Sequence, residues 1–497
     1  MIRKRLSCIA LLVATMFSFS ACSTKSKNTS EVQAQKETPT ELTIASFTLS
    51  DTPKDLQLVQ DEVNKITLEK INAKINWQVI PVGSWTQKIN LMLASGEKLD
   101  LLPVQGANFS SSVSKGQIIA LDDLLDKYGQ GIKEAVGQDY LKAGRINGKQ
   151  YAVPPVKSMA SGYGLKIRKD YASKYNISTN KVNSLEDFTA IFKTIKDKEP
   201  DTTILLMQPG KTLTIVDRAA GLDLLGDGFG VLLNGGADLK VVDWFETPQY
   251  AAMLNTVRNW YTSGYIMKDV ATNTQPISNL LKAGKGVAYF GAITANTAAS
   301  ESLTNGVELV EIPLIDAFST SSNAQQVQWA IPLNSKTPDK AMQFLNLMYT
   351  DSKVVNLMDY GIEGKHYVKT AEGTIDYPEG INAKTQTYSN MPFLLGNQFI
   401  SYVWKGGSVD AYKREAEFNK AAKKSKAMGF SFVASSVQTE LAALNSVTDQ
   451  YKVGLESGTL DPVKVLPEFI AKLKTAGIDK VIAEKQKQLD EWIKTNK

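Results

Sequence analysis

The stretch INWQVIPVGSWTQKINLMLASGEKLDLLPV, residues 75–104, decides the fold. INWQVIPV alternates, placing Ile75, Trp77 and Val79 on one face, the period-two pattern of a half-buried strand. Residues 84–95 then read as a helix ended by Gly96, which enters a left-handed C-cap without a Cβ penalty. DLLPV from Asp100 is the unbroken apolar run of a buried strand. Upstream, residues 42–47 alternate in the same way, and Thr52-Pro53 with Asp55 predicts a helix start, an N-cap hydroxyl with proline in the first turn. Strand, helix, strand, helix, strand is the order of an α/β layer with a parallel sheet.

The same order restarts downstream. GYGLKIR (162–168) is strand-like, and Ser184 to Asp187 reads as a capping box opening a helix over 187–197. TILLM (203–207) and GVAYFG (286–291) are short apolar stretches, and Thr247-Pro248 starts a helix running through Trp260 and Tyr261. QVQWAIPL (326–333) and the helix signalled by Thr337-Pro338 read as a return to the first unit. The last hundred residues are helical. Asp461-Pro462 starts a helix with Leu466, Phe469, Ile470 and Leu473 on one face and Gly477 at its end. Residues 478–494 carry Ile478, Val481, Ile482, Leu489 and Trp492 at helical spacing. These stripes are core-packing surfaces. The body from Leu42 onward exceeds the ~250–300 residues at which a single core stops growing, so two lobes are expected.

The N-terminus has another character. Arg3, Lys4 and Arg5 precede a mostly apolar run over 6–19, shorter than the about 20 residues of a membrane span, which is the layout of a secretory signal. Ser20 and Ala21 stand before Cys22 as in a bacterial lipobox, so residues 1–21 are expected to be removed and Cys22 lipidated. Residues 23–40 hold no Leu, Ile, Met or aromatic side chain and are expected to form a tether reaching roughly 20–25 Å. The only other cysteine, Cys8, lies in the leader, so no disulfide framework is available. The formal net charge of +5 falls once the basic leader residues leave, and KAAKKSK (420–426) reads as a solvated helix face, which argues against nucleic acid as a partner.

Several chemistries lack their parts. With one histidine, His366, there is no multi-histidine metal site and no HExxH pair, and no GxSxG elbow presents a serine. His366 reads as a hydrogen-bonding loop residue. GDGFG (226–230) lacks GxGxxG spacing, and Gly210-Lys211-Thr212 lacks the upstream glycine of a phosphate loop. No catalytic residue, cofactor or metal is assigned, with an all-oxygen calcium site as the open exception. A carboxylate pair of glycosidase type is the enzymatic alternative.

SWTQKINLMLASGEKLDLLPV, INGKQYAVPPV, GYGLKIRKDYASKYNI and WYTSGYIMKDVA, following the lipobox, resemble the extracellular solute-binding lipoproteins of bacterial ABC importers. GNQFISYVWKGG, SKAMGFSFVASSVQTELAAL and VLPEFIAKLKTAGIDKVIAEKQKQLDEW look like the C-terminal region of the LipO-like, DUF3502-type subgroup. The resemblance runs from about residue 41 to the end. It implies a two-lobe α/β fold like that of periplasmic binding proteins, with hinge strands and a helical C-terminal region. Residues 41–157 with 325–364 are expected to form lobe 1, and 158–324 with 365–497 lobe 2. It also implies no enzymatic activity, a ligand held by cleft closure, ABC permease partners, a monomer, and anchoring to the outer face of the cell membrane through Cys22. The implied ligand is an oligosaccharide, whose C–H faces pack on aromatic rings while its hydroxyls need polar partners. Trp85 after Val82-Gly83 and Trp404 before Gly406-Gly407 are the expected stacking platforms, with Trp77, Trp260 and Trp492 in cores. Position in the resembled fold adds Gln105, Asn108, Ser158, Gln208 and Phe290 as cleft candidates. A tethered sensor or adhesin on the same fold, or a peptide receptor, is the rival expectation.

Overall fold

In the computed structural model, which describes residues 38–207, 214–273 and 275–495, the first strand Thr40–Thr48 lies parallel to Ala73–Pro81. Leu42 sits beside Ile75 and Ile44 beside Trp77, so the alternating apolar faces meet one core. Trp77 is buried and donates its indole N–H to Ser46 Oγ at 2.9 Å. The leader, Cys22 and Gln208 lie outside the described residues.

The helix joining these strands is Leu56–Ile71, starting later than Thr52-Pro53 suggested. Asp55 occupies the N-cap position, but its carboxylate makes no cap because Thr387 Oγ1 (2.5 Å), His366 Nε2 (3.1 Å) and Lys365 Nζ (3.2 Å) take it. These partners, Thr387 first, hold its carboxyl at about 2. His366 accepts the Ile362 N–H at Nδ1, which leaves its Nε2 proton for Asp55. The helix Val82–Ser95 ends at Gly96 with φ 70°, as the sequence implied. DLLPV yields the short strand Leu102–Val104, which bridges in parallel to Ile44 through Leu101 but pairs antiparallel with Gln328–Ala330.

A second core surrounds a four-stranded sheet whose central strand Ser161–Arg168 runs antiparallel to both Ala288–Ile293 and Leu309–Ser319. The parallel order expected there is replaced by this antiparallel centre, and TILLM contributes only bridges from Leu205 to Ile266 and Ala288. Gly164 is required in the central strand, since a Cβ there would lie 2.3 Å from Ile312 O on the neighbouring strand. The capping box at Ser184 and Asp187 forms, and Thr247 Oγ1 caps Pro248–Thr262 by accepting the Tyr250 N–H. The helices Gln438–Glu456, Pro462–Ala476 and Ile478–Thr495 close this core with Phe469, Leu473, Ile478 and Val481 fully buried.

The chain passes between the two cores at Met159–Tyr163, between Leu314 and Ala324, and again between Leu395 and Val437. The last passage differs from the boundary expected at 364/365. Tyr388, Met391, Leu394 and Leu395 pack in the first core, where Trp329 Nε1 donates to Leu394 O at 2.7 Å and Asp55 grips 365–387. Asn419 stitches the passages by accepting from Met159 N (2.9 Å) and donating to Lys157 O (2.7 Å). Ser425 N donates to Ser319 O, and Ser321 Oγ donates to Ala427 O while accepting from Gly429 N. Part of KAAKKSK is therefore hinge backbone: the helix Ala411–Ala421 stops, and Lys423–Lys424 pairs with Phe318 and Ser319. On another side a hollow of 460 Å³ separates the Arg145–Gly148 turn of the first core from Glu484, Glu491 and their neighbours on the last helix.

One buried group opposes the fold. Asp359 is 1 % exposed, and neither carboxylate oxygen has a hydrogen-bond partner among the described residues. Burial raises its carboxyl well above the ordinary range, offset only in part by nearby Ser401. The unfolded chain releases this proton near the ordinary value of 3.8 while the folded chain keeps it. Stability is therefore lost as pH climbs from there toward the raised folded value. Asp359→Asn is expected to raise stability at pH 7 by about 1–3 kcal/mol, with a smaller gain at pH 4. Paired melting curves at the two pH values check this.

Candidate ligand-binding cleft

Where the first two passages meet, a cavity of 310 Å³ is lined from both sides. Lys157, Ser158 and Tyr163 come from the first passage, Phe318, Asn323 and Gln326 from the second, and Asp217 and Arg218 from the helix Thr214–Ala219. Lys157 is 6 % exposed, and its ammonium donates to Gln326 Oε1 at 2.8 Å. Burial pushes it down to about 8. Asp217 accepts from Lys452 Nζ (2.5 Å) and Trp244 Nε1 (3.1 Å), so the helical C-terminal region braces this wall of the cleft. Arg218 beside it is exposed.

The expected site residues separate into groups. Ser158 reaches the cavity, but its hydroxyl also donates to Glu415 Oε1 at 2.6 Å, a buried carboxylate that accepts from Asn296 as well. Trp85, Gln105 and Asn108 come together at the carboxyl ends of the first-core strands, around a smaller cavity of 120 Å³. This edge is where open α/β sheets take ligands. Trp85 is only 7 % exposed, edge-on to Phe47 at 5.5 Å, so most of its ring is core. Leu49 and Val82, both exposed, follow the same strand ends. Trp404 stands apart, half-buried, with its ring 4.5 Å from Tyr377 and 5.8 Å from Tyr360.

Phe290 is not a cleft residue. It is packed among Phe188 (5.0 Å), Trp260 (6.0 Å) and Tyr163 (6.1 Å), because its side chain on the outer strand Ala288–Ile293 points into the second core. The sequence reading also missed Lys157, Arg218 and Gln326. Lys157 directly follows AVPPV, and only the tertiary fold decides whether a lysine there is solvated. Among the described residues no group of three or more His, Cys, Asp or Glu is placed to hold a metal ion.

The family model for bacterial extracellular solute-binding proteins matches residues 63–362, and a domain of unknown function, DUF3502, matches 426–494. The chain belongs to the bacterial extracellular solute-binding proteins. This solute-binding protein is 29% identical over 497 residues to a carbohydrate ABC transporter substrate-binding protein of Streptococcus pneumoniae serotype 4, with 98% of both chains covered. Its fold is similar to the crystal structure of an N-glycan transport solute-binding protein from Streptococcus pneumoniae, at 27% identity and a TM-score of 0.80 over 92% of this chain and all of that one. The same pneumococcal protein in complex with Man5GlcNAc matches with a TM-score of 0.64, at 27% identity, over 92% of this chain and 99% of that one. The two-lobe α/β architecture of the solute-binding protein is thereby established, and its family places it outside the cytoplasmic membrane as a transport component.

Proposed function

We propose that this protein captures an oligosaccharide in the cleft between its two cores and delivers it to the permease subunits of an ABC importer, without catalysis of its own. The observation that carries the reading is a cavity lined from both sides of three hydrogen-bonded passages, so that ligand contacts made by both lobes favour the closed form. Periplasmic binding proteins in general close about a hinge in this way, a few residues between the lobes absorbing the change in backbone angles. Residues 39–159 with 324–395 act as one lobe and 160–323 with 437–495 as the other. The relatives support the ligand class: one is named for carbohydrate transport and another is described with Man5GlcNAc. The pneumococcal protein matches this chain with two different TM-scores at one sequence identity, which supports a fold able to adopt more than one lobe arrangement. Trp85, Gln105, Asn108 and Ser158 contribute to ligand contacts, with Trp404 a peripheral platform. Cys22 carries the lipid that holds the protein, as a monomer, at the outer face of the cell membrane.

A thermal-shift screen of neutral oligosaccharides, acidic oligosaccharides and peptides tests the reading. An oligosaccharide at a hundredfold excess over Kd is expected to stabilise by about 2.7 kcal/mol. A peptide that does so while every sugar is silent makes the protein a peptide receptor. Cys22→Ala is expected to abolish fatty-acid labelling and to move the protein out of the membrane fraction.

A further inference from the structure

The charges lining the cleft cavity do not cancel. Asp217, its carboxylate, is already neutralised by Lys452, which reaches it from Gln438–Glu456 at 2.5 Å. The two cations are left over. Lys157 is buried, and among the described residues its ammonium donates to the uncharged amide oxygen of Gln326. Among the described residues, no carboxylate lies within salt-bridge distance of Lys157 or Arg218. Buried cations elsewhere in the chain are paired: Lys166 with Glu301 at 2.6 Å and Lys485 with Asp227 at 2.6 Å.

A buried ammonium without an anion is costly, and such a group in a cleft is a functional-site candidate. That partner does not come from the cleft wall: Asp217 is committed to Lys452, and Glu415, behind Ser158, accepts from Ser158 and Asn296 and forms no ion pair with Lys157. It must come with the ligand. The cavity is polar on the Lys157 side and apolar where Tyr163, Leu222 and Phe318 line it, which fits a sugar ring bearing one charged substituent.

Resting on the oligosaccharide reading above, we propose that the ligand is acidic: a uronate- or sialate-type oligosaccharide whose carboxylate pairs with Lys157, with Arg218 drawing it in from the exposed side. An ammonium–carboxylate hydrogen bond formed out of water is among the stronger polar contacts. It adds specificity as well as affinity, since a neutral sugar would leave Lys157 buried and unpaired.

Isothermal titration of the purified protein with matched pairs tests this: trigalacturonate against its methyl ester, and sialyllactose against lactose. The acid of at least one pair is expected to bind tenfold or more tightly than its neutral partner. Lys157→Met should erase that preference, Lys157→Arg should retain most of it, and Arg218→Gln should reduce it less. Melting without ligand should hold or rise in Lys157→Met, because an unpaired buried charge is gone. Equal binding within both pairs, or binding of neutral oligosaccharides alone, overturns the inference and leaves the oligosaccharide reading standing. Binding of peptides and of no sugar overturns both.

Discussion

Lys485→Met is expected to destabilise the protein by about 3–5 kcal/mol, since removing one member of a buried ion pair leaves the rest uncompensated. Lys485 stands on the last helix with its side chain fully buried, inside the GDGFG turn. Its ammonium donates to Asp227 Oδ1 (2.6 Å), Phe229 O (2.8 Å) and Gly230 O (3.1 Å), and lies 5.0 Å from the Phe432 ring centre. Met fills similar space but donates nothing, so two carbonyls lose this donor and the Asp227 carboxylate loses its countercharge, keeping the Phe229 N–H. Asp223 behind them is already pushed up by burial, and its Oδ2 has no hydrogen bond among the described residues. Asp227, with a quarter of its side chain exposed, recovers some hydration, which favours the lower end of the range. Denaturant melts of the wild type, of Lys485→Met, of Asp227→Asn and of the double variant measure the coupling. A positive interaction of about 0.5–3 kcal/mol is expected for a contacting pair. Strict additivity would mean that Lys485 acts through the Phe229 and Gly230 carbonyls and its methylenes, not through Asp227.

Phe290→Ala is expected to cost about 3–5 kcal/mol of stability while leaving affinity per folded molecule unchanged. The ring meets Phe188 edge-on at 5.0 Å and lies parallel to Trp260 at 6.0 Å, and Trp260 is itself held by a hydrogen bond to Thr189. Truncation opens a cavity between side chains locked by their neighbours, which relaxes little. Melting without ligand and titration with it separate the two quantities. A large loss of affinity with an unchanged melt would return Phe290 to the cleft.

Phe290 also marks how far the sequence could be read. Residues 42–47, 75–104 and 461–494 declared their elements because periodicity records which face is buried, and Gly96 and Thr247 cap where expected. Periodicity does not record which core a face meets, so the apolar GVAYFG read equally well as cleft edge or core. Nor does it record strand partners: Leu102–Val104 looked parallel until Gln328–Ala330 returned beside it. The hinge was least legible. Ser319, Ser321, Asn419 and Ser425 are small polar residues without apolar rhythm, and their bonds join segments far apart in the chain. Asp55 failed as a cap for the same reason, since its partners lie beyond residue 364. In the cleft, the strand-end group Trp85, Gln105 and Asn108 was legible as loop chemistry after strands, whereas Lys157 finds its partner, Gln326, 169 residues further along the chain.

The hollow between the Arg145–Gly148 turn and the last helix offers an optical use. Asn147 and Glu491 are both exposed and face it from opposite lobes. Under the hinge closure proposed above, rotation about the stitched passages would change their separation. A dye and a contact quencher attached at these two positions would turn each capture event into a change in emission. The protein would then report its own cargo in real time, without a permease in the assay.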